Sequence, residues 1–99
     1  MSTDAAKVTG TVRIAKSFPA PSPMEIVSVF LADDHKTLTS QEFRAADVAK
    51  TPKEFSFPVS EGTQYHVWAK VGTVESDWRY FTVLSGQEPP RLDFVFGSD

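Results

Sequence analysis

Apolar residues recur at every second position in four separate segments of this chain, none longer than eight residues. The alternating series are Val8, Val12 and Ile14 in residues 7–14; Phe55, Phe57 and Val59 in 54–59; Tyr65, Val67, Ala69 and Val71 in 64–71; and Leu92, Phe94 and Phe96 in 91–96. Because successive side chains of a β-strand point to opposite faces, this spacing predicts strands that bury one face. A chain dominated by such segments is expected to be all-β.

Glycine stands at an inward position of the first segment, at Gly10. Glycine inside a strand indicates a bulge or the close approach of a neighbouring element. We therefore expect another part of the chain to lie directly against the backbone at this position.

Three further segments complete the predicted elements. The run Met24–Ala32 is apolar at both parities, which predicts a central strand covered on both faces, and residues 77–84 read as another strand. Residues 37–39 favour a short strand, whereas 41–50 consist of helix formers, with Ser40 available as an N-cap. We expect a short strand and then one or two helical turns, closed by Pro52.

The elements sum to about seven strands, and their spacing predicts an all-β, antiparallel two-sheet sandwich of the prealbumin-like or immunoglobulin-like kind, with one short helix within 40–50. The strands 54–59 and 64–71 are expected to form a hairpin through the turn at Glu61 and Gly62. Pro58 marks the first of them as an edge strand or a strand end. Residues 7–97 are expected to be a single domain after a disordered tail at 1–6.

Charge and composition exclude several function classes. Ten Lys and Arg against thirteen Asp and Glu leave a net charge of −3, so no cationic field attracts nucleic acid. The chain has no cysteine, which excludes a disulfide framework and thiolate chemistry. No apolar run approaches a membrane span. We expect a soluble protein, cytoplasmic if Met1 is native and periplasmic or secreted if a signal peptide has been removed.

The chain has two histidines, His35 and His66, the side chains that could act as a catalytic base or bind a metal at neutral pH. Neither lies near a strained nucleophile motif such as Gly-x-Ser-x-Gly. Asp33, Asp34 and His35 could supply metal ligands, but no further ligand pattern completes a coordination shell, and a solvated turn is the better interpretation. The sequence thus predicts no catalytic residue, no metal ligand and no cofactor.

One group of residues is more aromatic than an ordinary solvent-exposed sheet face. If the series that begins at Tyr65 points inward, the alternate side chains of the two neighbouring strands share the outer face. That candidate binding face consists of His66, Trp68, Lys70, Trp78 and Tyr80. Two alternatives remain open: the segment 37–50 folds over this face, or a shift of one residue turns Trp78 and Tyr80 into the core.

The function expected from this face is binding without catalysis, because aromatic residues with polar tips are enriched at interfaces. The partner would be another protein or a second copy of the chain. A carbohydrate-binding module is the alternative, since a flat aromatic face can stack on sugar rings. A small hydrolase that uses His35 or His66 is a third possibility.

The segments VTGTV at 8–12, FSFPVSEGTQYHVWA at 55–69 and LDFVF at 92–96 resemble the transthyretin-like, carboxypeptidase regulatory-like sandwich domains. The resemblance implies a β-sandwich. That group includes the hydrolase of 5-hydroxyisourate, which uses histidines, an arginine and a Tyr-Arg-Gly-Ser ending. This chain ends Phe96-Gly97-Ser98-Asp99 and has no histidine before His35, so no catalytic residue is carried over. The same stretches look similar to bacterial envelope lipoprotein domains of the secretion-pilot type, but the lipidated cysteine of those domains is missing.

Overall fold

Eight strands and one short helix follow one another in a computed structural model that describes residues 6–19, 22 and 24–98. They are β1 (Ala6–Ile14), β2 (Ile26–Ala32), β3 (Thr37–Arg44), α1 (Ala45–Lys50), β4 (Lys53–Val59), β5 (Gln64–Val71), β6 (Val74–Glu75), β7 (Arg79–Thr82) and β8 (Arg91–Phe96). Residues 1–5 of the predicted tail lie outside the described residues, and Ala6 already belongs to β1.

The strands form two sheets. One has three strands in the order β4-β1-β8, and the other has five, in the order β3-β2-β5, with β6 and β7 both pairing with the far side of β5. All pairs are antiparallel except β1 with β8, which run parallel. The expectation of a purely antiparallel sandwich is wrong at this pair. Alternation fixes which face a strand buries but not the direction of its neighbour.

The core lies between the two sheets. Inward side chains from both sheets form one buried cluster: Val8, Val12, Phe55, Phe57, Val59, Leu92, Phe94 and Phe96 from one, and Val27, Val29, Leu31, Tyr65, Val67, Ala69, Val71 and Phe81 from the other. Nearly all of these are the alternating apolar residues of the sequence. The predicted all-β two-sheet sandwich with one short helix is confirmed.

The predicted hairpin between β4 and β5 does not form. β4 pairs with β1 in the three-stranded sheet, whereas β5 pairs with β2 in the other, so the turn at residues 60–63 carries the chain across the sandwich. Both strands bury alternate residues, but from opposite sides of the core. The prediction of Pro58 on an edge strand is confirmed. β4 is the outermost strand of its sheet and pairs with β1 on one side only.

The segment 37–50 is more strand than helix. β3 extends to Arg44, and Ser40 lies opposite Phe30 in the ladder with β2, so it does not cap a helix. The helix begins only at Ala45, and it buries Ala45 and Val48 at the end of the core. Pairing with β2 outweighs the helix propensity of residues 41–44 because each strand residue gains cross-strand contacts along a central partner.

β2 is central, as predicted, but it is not covered on both sides. Val27 and Val29 are fully buried, whereas Ile26 on the opposite face is exposed and Phe30 is half-buried against the ring of Trp68. Met24, which the prediction placed on the covered face, precedes the strand and is exposed. The outer face of the five-stranded sheet thus carries apolar side chains that no further layer of the described residues covers.

Close packing at Gly10 is confirmed. A Cβ atom built on Gly10 would lie 1.6 Å from the carbonyl oxygen of Leu92 and 2.7 Å from the ring of Phe55. β8 therefore approaches β1 at a distance that no side chain permits.

Candidate binding face

The outer faces of the two sheets differ in chemistry. The three-stranded sheet presents mainly polar side chains, among them Thr11, whose hydroxyl donates a hydrogen bond of 2.8 Å to the carboxylate of Asp93. Arg91 lies 3.5 Å from the same carboxylate. Val95 is the exposed large hydrophobic residue of β8. This is the composition of an ordinary solvated sheet face.

The five-stranded sheet carries a contiguous group of rings, here called the aromatic patch, which consists of Phe30, His66, Trp68, Trp78 and Tyr80. Strand register brings them together. Phe30 of β2 lies opposite Trp68 of β5, and His66 of β5 lies opposite Tyr80 of β7. Directly opposed side chains on one face are close enough for ring contact.

Four rings of the aromatic patch stack on one another, and the ring of Tyr80 is tilted against His66. The centroid of Trp68 lies 5.0 Å from that of Phe30 and 4.9 Å from that of Trp78. The centroid of His66 lies 4.7 Å from that of Trp78, with planes 7° apart, and 5.0 Å from that of Tyr80. Aromatic contacts at these distances contribute about 0.5–1.5 kcal/mol each beyond area burial. Each ring is thereby held by its neighbours.

An interruption between β6 and β7 determines where Trp78 points. Lys70 lies opposite Glu75, and Val67 lies opposite Arg79, so three residues, 76–78, face only two on β5. Such an extra residue is a β-bulge, which re-aims the side chains beside it. The Ser76 Oγ accepts a 2.8 Å hydrogen bond from the buried Ala69 N–H in place of a ladder partner. The bulge leaves Trp78 over Trp68 on the outer face.

The aromatic patch is accessible to solvent in part. Trp78 is 47% exposed and Tyr80 is 60% exposed, while His66 and Trp68 are half-buried. Neither alternative from the sequence holds: β3 extends the same sheet beside β2 instead of folding over it, and the register keeps Tyr80 beside His66 on the outer face.

The predicted face and the aromatic patch differ at Lys70 and Phe30. Lys70 lies on the outer face between Ser28 and Glu75, so it belongs to a polar row next to the rings and makes no ring contact. Phe30 was missed, because the run 24–32 was predicted to be covered on both sides. Its signal was available: Phe30 has the same parity as Ser28, a polar residue at which a fully covered strand is not expected.

A shallow open depression of about 360 Å³ adjoins the aromatic patch, between Trp68, Trp78 and the turn that joins β2 to β3. Asp33 and Asp34 line its other side. The Asp33 Oδ1 accepts hydrogen bonds from the backbone N–H groups of His35 (2.8 Å) and Lys36 (2.9 Å). These bonds lower the pKa of Asp33 below its ordinary value of 3.8. The depression thus combines indole surface with an ionised carboxylate.

The histidines lie in different surroundings. His35 is exposed in the turn, and His66 is among the rings. Within the described part of the chain, no three His, Cys, Asp or Glu side chains are grouped so that they could hold a metal ion. No helix among the same residues is long and apolar enough to cross a membrane. The arrangement offers apolar contact area with polar tips.

No known family model, curated protein or solved structure matches the chain. The resemblance to transthyretin-like domains therefore stays a prediction, and the function has to be inferred from the face itself.

Proposed function

We propose that this protein is a non-catalytic binding module whose aromatic patch contacts a protein partner. The observation that carries the proposal is the concentration of five rings in mutual contact on one sheet face, with Trp78 and Tyr80 about half exposed, while the other sheet presents polar residues.

Stacking supports binding through its effect on entropy. Immobilising a flexible side chain at an interface reduces the free energy of binding by about 0.5–1.5 kcal/mol through lost conformational entropy. Rings that are already held by their neighbours lose less freedom when a partner binds. Trp and Tyr also combine a large apolar area with a hydrogen-bonding tip, which is why they dominate binding energy at interfaces. Trp78, the more exposed indole, is the expected anchor.

The test is site-specific photo-crosslinking in the cells that make the protein. A photoreactive residue at Tyr80 is expected to yield a discrete protein adduct, and the added substitution Trp78→Ser is expected to reduce its yield at least tenfold. The matched control carries the photoreactive residue at Ser56, on the polar face of β4. Equal adducts from both positions, or none from Tyr80, would contradict the proposal.

Carbohydrate binding is the second candidate, favoured by the carboxylates of Asp33 and Asp34 beside the indoles in the depression. The chain has two tryptophans, and both belong to the aromatic patch, so tryptophan fluorescence reports on this face alone. Sugar binding is expected to change the emission, and Asp34→Asn is expected to weaken the response. An unchanged emission across a glycan panel at millimolar concentration would remove this candidate.

A further inference from the structure

The outer faces of the two sheets differ in charge. Of the described strand residues on the outer face of the three-stranded sheet, three are basic and two acidic: Lys7, Arg13 and Arg91, and Glu54 and Asp93. Apart from the ion pair of Asp77 with Arg79, the described residues that adjoin the aromatic patch include four carboxylates and two ammonium groups: Asp33, Asp34, Glu42 and Glu75, and Lys36 and Lys70. The rings thus lie among an excess of carboxylates, which complements a partner that carries positive charge.

Two of these carboxylates belong to a row of side chains across the five-stranded sheet. Glu42 lies opposite Ser28, Ser28 opposite Lys70, and Lys70 opposite Glu75. This row is two residues, or about 7 Å, along the strands from the rings of β2 and β5. Arg44 lies one row further from the rings. Lys70 balances one of the two carboxylates, so the row beside the rings keeps an excess of one negative charge.

The other two carboxylates line the depression beside the indoles. The Asp33 Oδ1 accepts the two backbone hydrogen bonds of the turn, whereas its Oδ2 accepts none from the described residues. In the same part of the chain, the carboxylate of Asp34 has neither a hydrogen bond nor an ion pair, and Lys36, which also lines the depression, pairs with neither aspartate. Three carboxylate oxygens are therefore open to donors from a partner.

We infer that the partner inserts an arginine side chain into this depression. The inference rests on the proposed function and names the chemistry that the partner supplies. The methylene groups of the arginine pack against the indoles of Trp68 and Trp78, and its guanidinium donates to Asp34 and to the free oxygen of Asp33. Arginine fits better than lysine because its planar fork of donors can bridge two carboxylates.

A peptide titration tests this chemistry without knowledge of the partner. The probe is a capped pentapeptide with one arginine between pairs of glycines, and its control carries citrulline, the neutral isostere of arginine. The readout is the chemical shift of the Trp78 indole N–H, because a single side chain binds with a Kd on the order of 1–10 mM. The citrulline peptide is expected to bind at least about tenfold more weakly. Equal binding of the two peptides, or no shift with arginine at about 20 mM, overturns the inference.

A pair of charge variants locates the binding site. Asp34→Asn and Glu54→Gln each remove one negative charge, but Glu54 lies on the outer face of the three-stranded sheet. Asp34→Asn is expected to weaken binding of the arginine peptide roughly fivefold or more, because it removes a charged acceptor. Glu54→Gln is expected to leave the Kd within about twofold of wild type, since long-range charge effects are screened by salt. If both variants weaken binding equally, net charge and not the depression attracts the peptide, and the inference is wrong.

The inference and the proposed function fail separately in the crosslinking experiment. Asp34→Asn is expected to reduce the yield of the adduct from Tyr80, whereas Glu54→Gln is expected to leave it unchanged. An adduct whose yield does not respond to Asp34→Asn would overturn the arginine inference and leave the proposed function standing. If no adduct forms from Tyr80, the proposed function fails, and the peptide titration still decides whether the depression binds arginine.

Discussion

Gly10 shows how one residue sets the spacing of two strands. An added Cβ would lie 1.6 Å from a backbone carbonyl of β8, and backbone atoms cannot rotate away as a flexible side chain can. We expect Gly10→Ala to lower the free energy of unfolding by about 3 kcal/mol or more, or to prevent folding. Guanidinium unfolding followed by circular dichroism measures the loss.

Gly62→Ala provides the comparison. No atom lies within 4 Å of a Cβ at Gly62, but its φ of +83° is costly for a residue with a side chain. Gly62→Ala is expected to lower the free energy of unfolding by about 1–2 kcal/mol, from backbone strain alone. If the two variants were equally destabilised, close packing at Gly10 would not be the cause.

Asp33 gives the turn between β2 and β3 a dependence on pH. Its pKa is lowered in the folded protein by hydrogen bonds from the backbone N–H groups of His35 and Lys36. Stabilisation is therefore present above the ordinary pKa and is lost as the pH falls through the folded value. Asp33→Asn should reduce the free energy of unfolding most at neutral pH, and the difference from wild type should shrink in acid.

Thr37→Ala, at the start of β3 after the same turn, is the control because it removes no ionisable group. Its effect on the free energy of unfolding should be the same in neutral and acid conditions. Urea unfolding over a series of buffers measures both variants. Parallel pH profiles for the two would show that the turn bonds of Asp33 do not stabilise the fold.

Among the elements, the bulge before β7 positions the most exposed indole. Ser76→Ala removes the acceptor for the buried Ala69 N–H and is expected to cost about 1–2 kcal/mol. The bulge also holds Trp78 on the outer face. In the Ser76→Ala variant, the emission of Trp78 should therefore shift to longer wavelength, and its quenching by acrylamide should rise. Ser56→Ala on the polar face should change neither. Lost stability with unchanged tryptophan emission would separate the bulge from the aromatic patch.

The elements also show how far a single sequence leads. Alternation in β1, β4, β5 and β8 sufficed to predict which side chains enter the core, because burial depends only on strand parity. It could not predict pairing: Val59 and Tyr65 read as neighbours of one hairpin, yet they enter the core from different sheets. Local propensity likewise predicted helix where pairing with β2 extends β3 to Arg44.

The same distinction holds for the candidate site: the face on which a side chain lies was predictable from strand parity, but its neighbours across strands were not. His66 and Trp68 share the outer face by parity alone, and Tyr80 follows from the parity of its own strand. The parity of Ser28 could have placed Phe30 on the outer face, but its contact with Trp68 depends on the long-range pairing of β2 with β5. Trp78 was placed on the same face because it has the parity of Tyr80, but the bulge at residues 76–78 that precedes it was not predicted, since Ser76 gives no distinctive local signal.

At the scale of the whole molecule, two polar side chains connect the sheets at opposite edges of the sandwich. Gln41 of β3 donates from Nε2 to the Ser56 carbonyl oxygen of β4 at 2.6 Å. On the other side, the guanidinium of Arg79 lies 5.2 Å from the ring centroid of Phe94 and donates to the Asp93 carbonyl oxygen at 3.4 Å. Each contact connects the edge strand of one sheet to the edge strand of the other, where no backbone ladder joins the two sheets.

Since the two connections share no residue and lie on opposite sides of the core, their contributions should add. We expect Gln41→Ala and Arg79→Ala each to lower the free energy of unfolding by about 1 kcal/mol. The double variant should lose the sum to within about 0.5 kcal/mol. Chemical unfolding of the four proteins of this cycle measures the coupling. A loss in the double variant well beyond the sum would mean that the sheets separate cooperatively once both edges open, and that neither edge acts alone.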